Sequence, residues 1–135
     1  MAAVFKRSYH PTATGDPAWD QTTAQAISCL CCPITSISDD RLLEACHIKP
    51  YSHELTNNDE KIDPFNGLML TPTIHWIFDR GYLSFTDDKR SILSPFLSNM
   101  TYSMLGISDD KTYKHLQTKG SEKYLEFHRD NILKR

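Results

Sequence analysis

Four polar residues between Leu42 and Gly81 have the types and spacing to act on one reacting group. His47 closes an apolar run (LLEACHI), and Asn66 stands before Gly67 after a polar loop. His75 follows nine residues after Asn66, and Asp79 four after that. Hydrolysing a phosphodiester needs an activated water, neutralisation of the charge building on the phosphate, and help for the leaving 3′ oxygen. A divalent cation supplies the last two as a Lewis acid. A neutral imidazole, with an ordinary pKa near ~6.5, can take the water's proton at neutral pH. His47 is therefore the candidate base. His75 and Asp79 are the candidate ligands, because i, i+4 spacing on a short helix lets both side chains converge on one ion. Asn66 is expected to accept the ring N–H of His47 through its side-chain carbonyl and so fix which nitrogen faces the water. Each residue alone has an ordinary reading, such as a strand-end core histidine, an exposed helix pair or a turn asparagine. Only the combination describes a site, and it requires the strand-end imidazole to face the two helix side chains across a few ångströms.

These groups need elements to position them. Residues 1–17, with two prolines and no apolar period, read as an arm. A helix is predicted from Asp16 or Pro17 to the stop at Pro33. Ile34 and Thr35 then suggest a strand, Ser36 to Asp40 a turn, and Leu42 to Ile48 the returning strand of a hairpin. Alternation places Leu43, Ala45 and His47 on one face and Leu42, Glu44, Cys46 and Ile48 on the other. Glu44 reads as a structural partner on that hairpin rather than a ligand. Residues 50–65 show no period and read as a loop, of a length that is often functional. Thr71 as N-cap, Pro72 in the first turn and Gly81 beyond the end predict a helix over 72–79, with Ile74, Ile77 and Phe78 facing the core. A second hairpin is expected from Tyr82 to Leu93 around Asp87–Arg90, then a loop from Asn99 to Asp110. The stretch SEKYLEFHRDNILKR completes the chain as an amphipathic helix.

Bulk properties bound the reading. With 135 residues, the chain has the size of one domain. A net charge of −2 argues against a strongly basic, nonspecific nucleic-acid binder, although a local patch acts within the screening length. No stretch approaches the ~18 apolar residues of a membrane span, so no membrane partner is expected. MAAVFKRSYHP lacks the apolar run of a secretory leader, and a cytoplasmic location is expected. Cys29 and Cys32 have CxxC spacing, but no second pair follows, so reduced thiols are expected rather than a zinc knuckle.

ACHIKPYS followed by DPFNGLMLTPTIHWIFDRG resembles the HNH endonuclease family, in particular a branch with a LEAxHIxP, NGLxL and HxxFDxG pattern common in restriction and anti-phage nucleases. The likeness covers about residues 30–97, and YLEFHRDNIL is similar to the end of such domains. It implies an α+β fold with a ββα-metal (His-Me finger) core, a flanking N-terminal helix, a second β-hairpin and a C-terminal helix. The domain would span 18–135, with its catalytic core at about 31–81. It also implies that His47 is the general base, Asn66 its orienting residue and His75 a metal ligand. Asp79 falls where some members place a further metal-binding histidine. The residue before the base is often Asp or His; here it is Cys46, a poor ligand for Mg²⁺ but acceptable to softer Zn²⁺. Because alternation turns Cys46 away from His47, the ion is expected to rest on His75, Asp79, waters and phosphate, with Cys46 the weakest candidate. Lys49, Arg80 and His53 are candidate phosphate contacts.

The implied activity is a metal-dependent DNA endonuclease of restriction or anti-phage type, using Mg²⁺ or Mn²⁺, with Zn²⁺ or Ni²⁺ as the other choice. DNA is the expected partner. A homodimer would supply two sites for both strands, and target choice would come from an attached or partner specificity domain. The competing reading is a domain that keeps the HNH fold and binds nucleic acid or protein without cutting. Intact His47, Asn66 and His75 weigh against it.

Overall fold

The computed structural model describes residues 31–135, so the expected arm and nearly all of the expected first helix lie outside the described residues. The strand bearing His47 forms as β1, Glu44–His47. Its partner is β2, Gly67–Leu70, antiparallel, with Glu44 opposite Leu70, Ala45 opposite Met69, Cys46 opposite Leu68 and His47 opposite Gly67. The hairpin expected between Ile34–Thr35 and Leu42–Ile48 is thus corrected. Residues 33–35 form a turn, and Ser36 sits at φ 63. Cys32 closes the turn, its carbonyl accepting from Ser36 N–H at 2.8 Å and its N–H donating to Ile37 at 2.9 Å. A residue in the left-handed region cannot continue a strand, whatever the propensity of its neighbours. Gly67–Leu70 prevails because Leu68, Met69 and Leu70 are almost completely buried.

The connection expected to be irregular holds a helix, α1, Asn58–Ile62. Asn57 caps it reciprocally, its side chain accepting from Glu60 N–H at 2.9 Å while Glu60 accepts from Asn57 N–H at 3.0 Å. It buries no residue, so no apolar period announced it. The next helix, α2, Pro72–Asp79, has the predicted bounds, and Ile74, Ile77 and Phe78 enter the core as expected. Thr71 is its N-cap, but the hydroxyl makes no cap bond and meets Cys32 Sγ at 3.8 Å. Gly81 follows the helix at φ 80, where a Cβ would lie 2.0 Å from the Ile132 carbonyl oxygen. Both the turn and this close approach call for glycine.

The second hairpin forms as β3, Leu83–Phe85, against β4, Ser91–Leu93. A short helix, α3, Asn99–Met104, replaces the first half of the loop expected from Asn99, and it buries only Tyr102. The last element, α4, Glu122–Asn131, buries Tyr124, Leu125 and His128. His128 ties α4 to both neighbours. Its Nε2–H donates to the Phe78 carbonyl at 2.9 Å, and Nδ1 accepts from the Ser84 hydroxyl at 2.8 Å. Burial drives its pKa down to about 4. One core runs from Leu43 and Ala45 through Leu68 and Leu70 to Phe78, Phe85 and Leu125. No helix among the described residues is long and apolar enough to cross a membrane. Paired β1 and β2, followed by α2, form the two-stranded sheet and helix that position the site.

Candidate active site

Strand alternation directs Glu44 and Cys46 toward α2. Glu44 Oε1 lies 2.8 Å from His75 Nδ1, and His75 Nε2 lies 3.0 Å from Asp79 Oδ2. The Cys46 thiol donates to Asp79 Oδ1 at 3.4 Å. One donor atom each from Cys46, His75 and Asp79 lies within 4.8 Å of the others. This donor set fits a divalent ion. It offers one sulfur, one imidazole nitrogen and one carboxylate oxygen, and Glu44 engages the far side of the ring as metal-binding histidines require. Glu44 thus engages His75 Nδ1 and leaves Nε2 toward Asp79. Burial works against a charged His75 ring, yet bonds and charge from Asp79 and Glu44 outweigh it and raise the pKa. Burial, then the neighbouring Asp79 and Glu44, pushes the Cys46 thiol well up. A cation binding here would have to displace the protons these groups hold.

The expectation for Cys46 is thereby corrected. Strand alternation, which turns Cys46 away from His47, is what brings it to His75 and Asp79. The strand residue that meets the helix pair is Cys46. His47 turns with Ala45 toward the loop, where its Nε2–H donates to the Lys61 carbonyl at 2.8 Å and its ring lies 5.7 Å from that of Tyr51. A carbonyl only accepts, so Nε2 carries the proton and Nδ1 is the basic nitrogen of the neutral ring.

Asn66, 0% exposed, binds backbone rather than the His47 ring in the bonds its amide makes. Its Oδ1 accepts Lys49 N–H at 2.7 Å, and its Nδ2 donates to the carbonyls of Lys49 at 3.1 Å and Glu60 at 3.0 Å. Its own carbonyl accepts from Ile48 N–H at 3.2 Å. Asn66 thus pins the chain just beyond His47 to the start of β2 and to α1, whose Lys61 holds the ring.

The phosphate candidates separate. Lys49 is paired with Glu60 at 2.8 Å and lies over the Phe127 ring, so its charge is already matched. His53 Nδ1 accepts from Leu55 N–H at 3.1 Å, and its ring meets Phe127 edge-on. Arg80 lies over Trp76, 4.5 Å from the ring centroid, in a cleft lined also by Asp79 and Lys134. Sequence reasoning read Glu44 as a structural partner but missed that its partner is His75, although its i, i+2 relation to Cys46 was the available signal. It also missed the Lys61 carbonyl, which no side-chain pattern marks.

Residues 32–86 match the family model described as HNH endonuclease. A solved structure titled modification dependent TagI restriction endonuclease is similar in fold, with a TM-score of 0.50 and 20% identity. The match covers 81% of this chain and 35% of that one, so this chain spans about a third of that protein's length. No curated protein matches the chain. The matched segment, residues 32–86, contains the whole β1–β2–α2 unit, so the likeness to the HNH endonuclease family falls on the elements that carry the candidate site.

Proposed function

We propose that the domain hydrolyses phosphodiester bonds of DNA with one divalent cation, as the catalytic part of a restriction-type or defence nuclease. The observation that carries this reading is the convergence of Cys46, His75 and Asp79 within 4.8 Å, with Glu44 behind His75, at the end of the strand that also bears His47. A cation held by those three residues would supply Lewis-acid neutralisation of the phosphate and of the leaving oxygen. The soft sulfur of Cys46 favours Zn²⁺ or Ni²⁺ over Mg²⁺ and Mn²⁺, which prefer oxygen donors. His47 acts as the base: the Lys61 carbonyl holds the Nε2 proton, and Nδ1 receives the proton of the attacking water. Adjacent residues of a strand project to either side, so the scissile phosphate would lie across the end of β1, between the base and the ligands. Asn66 keeps that end fixed through Lys49. Of the phosphate contacts, Arg80 suits the role best, since Lys49 is paired with Glu60. The fold likeness to a modification-dependent restriction enzyme over about a third of its length suits a domain whose target choice comes from elsewhere.

A plasmid-nicking assay tests the reading. Wild-type protein with Mn²⁺, Zn²⁺ or Mg²⁺ should nick, EDTA should stop it, and His47→Ala should slow it by about 10²–10⁴-fold, the range of a lost general base. Nicking that survives in folded His47→Ala removes the mechanism. Binding of DNA with no cutting under any of the three ions would make the domain a binding module instead.

A further inference from the structure

Beside Asp79 lies a cleft of which the mechanism uses only Arg80. Trp76 projects from α2 between the two helix ligands and is 51% exposed, unlike its neighbours Ile74, Ile77 and Phe78. Arg80 lies over its ring at 4.5 Å, and Tyr82 stacks near it with centroids 6.1 Å apart and planes at 17°. Lys134 lies over the Tyr82 ring at 4.4 Å and donates to its hydroxyl at 3.3 Å. The backbone fixes that lysine as well, since Lys134 N–H donates to the Gly81 carbonyl at 2.8 Å. Trp76, Asp79, Arg80 and Lys134 line one open cleft.

What sets this cleft apart is that two ring-held cations share it with Asp79. Arg41, Lys49, Arg90 and Arg129 each pair with a carboxylate. Among the described residues, no carboxylate pairs with the side chain of Arg80 or Lys134, although Asp79 lines the same cleft. A ring orders a cation without cancelling its charge, and a stacked guanidinium keeps its N–H edge for a two-pronged bond to phosphate. Two such cations, held side by side next to a metal-ligand carboxylate, complement a polyanion passing through the site.

We propose that Arg80 and Lys134, held on Trp76 and Tyr82, bind the backbone phosphates of the DNA strand flanking the bond cut at the Cys46–His75–Asp79 site. The assignment rests on the nuclease reading for its ligand and adds Trp76, Tyr82 and Lys134, which that reading does not need. The cleft contacts backbone and not base edges, so it strengthens binding without selecting sequence.

Fluorescence anisotropy of a labelled DNA duplex in EDTA reads binding where nothing is cut. Arg80→Ala combined with Lys134→Ala should weaken binding about tenfold or more and lower the slope of log K against log salt by about two, near one per lost phosphate contact. Lys134→Glu should weaken it further. A Trp19→Phe background leaves Trp76 as the sole indole, and its emission should change on saturation with duplex. Unchanged affinity and slope in the double variant, folded by circular dichroism, would overturn the proposal, as would an indifferent Trp76 signal. Because no step here requires cutting, a wild-type protein that nicks while these variants bind normally refutes the cleft alone. Variants that lose binding while the wild type fails to nick support the cleft and refute the nuclease reading.

Discussion

The two faces of β1 hold their functional groups by different means. Toward α2, Glu44 and Cys46 meet side chains 31 and 33 residues further along, and every link is an ionisable group on another ionisable group. Toward the loop, His47 is held by a backbone carbonyl 14 residues away, and Asn66 braces that loop by bonding main chain alone. The ligand face can therefore be retuned by one conservative side-chain change. The base face depends on the loop keeping its shape, so its weak point is folding rather than charge. Substitutions on either side should separate these dependences.

The largest effect is expected on the loop side. Asn66→Ala removes three side-chain bonds and leaves partly buried backbone groups of Lys49 and Glu60 without them, which should cost about 4 kcal/mol. Urea unfolding would show this as a lowered midpoint, and a midpoint within experimental scatter of wild type would mean that the loop is braced elsewhere. The α2 side has a pH dependence instead, because His128 bonds the Phe78 carbonyl of the helix that carries His75 and Asp79. Its pKa of about 4 in the folded protein lies below the 6.5 of a free ring, so the unfolded chain takes up the proton first as pH falls. The stability from the neutral buried ring is complete above pH 6.5 and is lost between there and about 4, by at most about 3 kcal/mol. Urea midpoints measured across that window should fall, and a flat profile would show that His128 titrates normally. Smaller still is Glu44→Gln, which keeps a hydrogen-bonding side chain but removes the charge behind His75. Zn²⁺ affinity by calorimetry should fall about 10–100-fold with the urea midpoint nearly unchanged. Undiminished affinity would remove Glu44 from its orienting role.

Much of this was readable in the residues, unevenly. α2 could be delimited because Thr71–Pro72 and Gly81 bracket it and Ile74, Ile77 and Phe78 set its face. The second hairpin declared itself through alternation on either side of Asp87–Arg90. The partner of β1 did not, because strand pairing is nonlocal: Ile34–Thr35 had suitable propensity nearby, while Gly67–Leu70 lay beyond a long connection. The helices α1 and α3 escaped notice since they bury almost nothing, though the Asn57–Glu60 capping pair was a visible signal. At the site, His47, Asn66, His75 and Asp79 could be singled out by type and spacing. Which of them met was decided by the face each occupies, and there the sequence reading paired His47 with the helix residues where the structure places Cys46.

The central claim is that Cys46, His75 and Asp79 hold one ion while His47 stands outside it. Titration with Co²⁺, followed by absorption, tests this most directly, because a thiolate ligand adds a sulfur-to-metal charge-transfer band in the near ultraviolet. The account predicts that band in the wild type and in His47→Ala, and its loss in Cys46→Ser. A wild-type spectrum without the band, or a band that persists in Cys46→Ser, would contradict it.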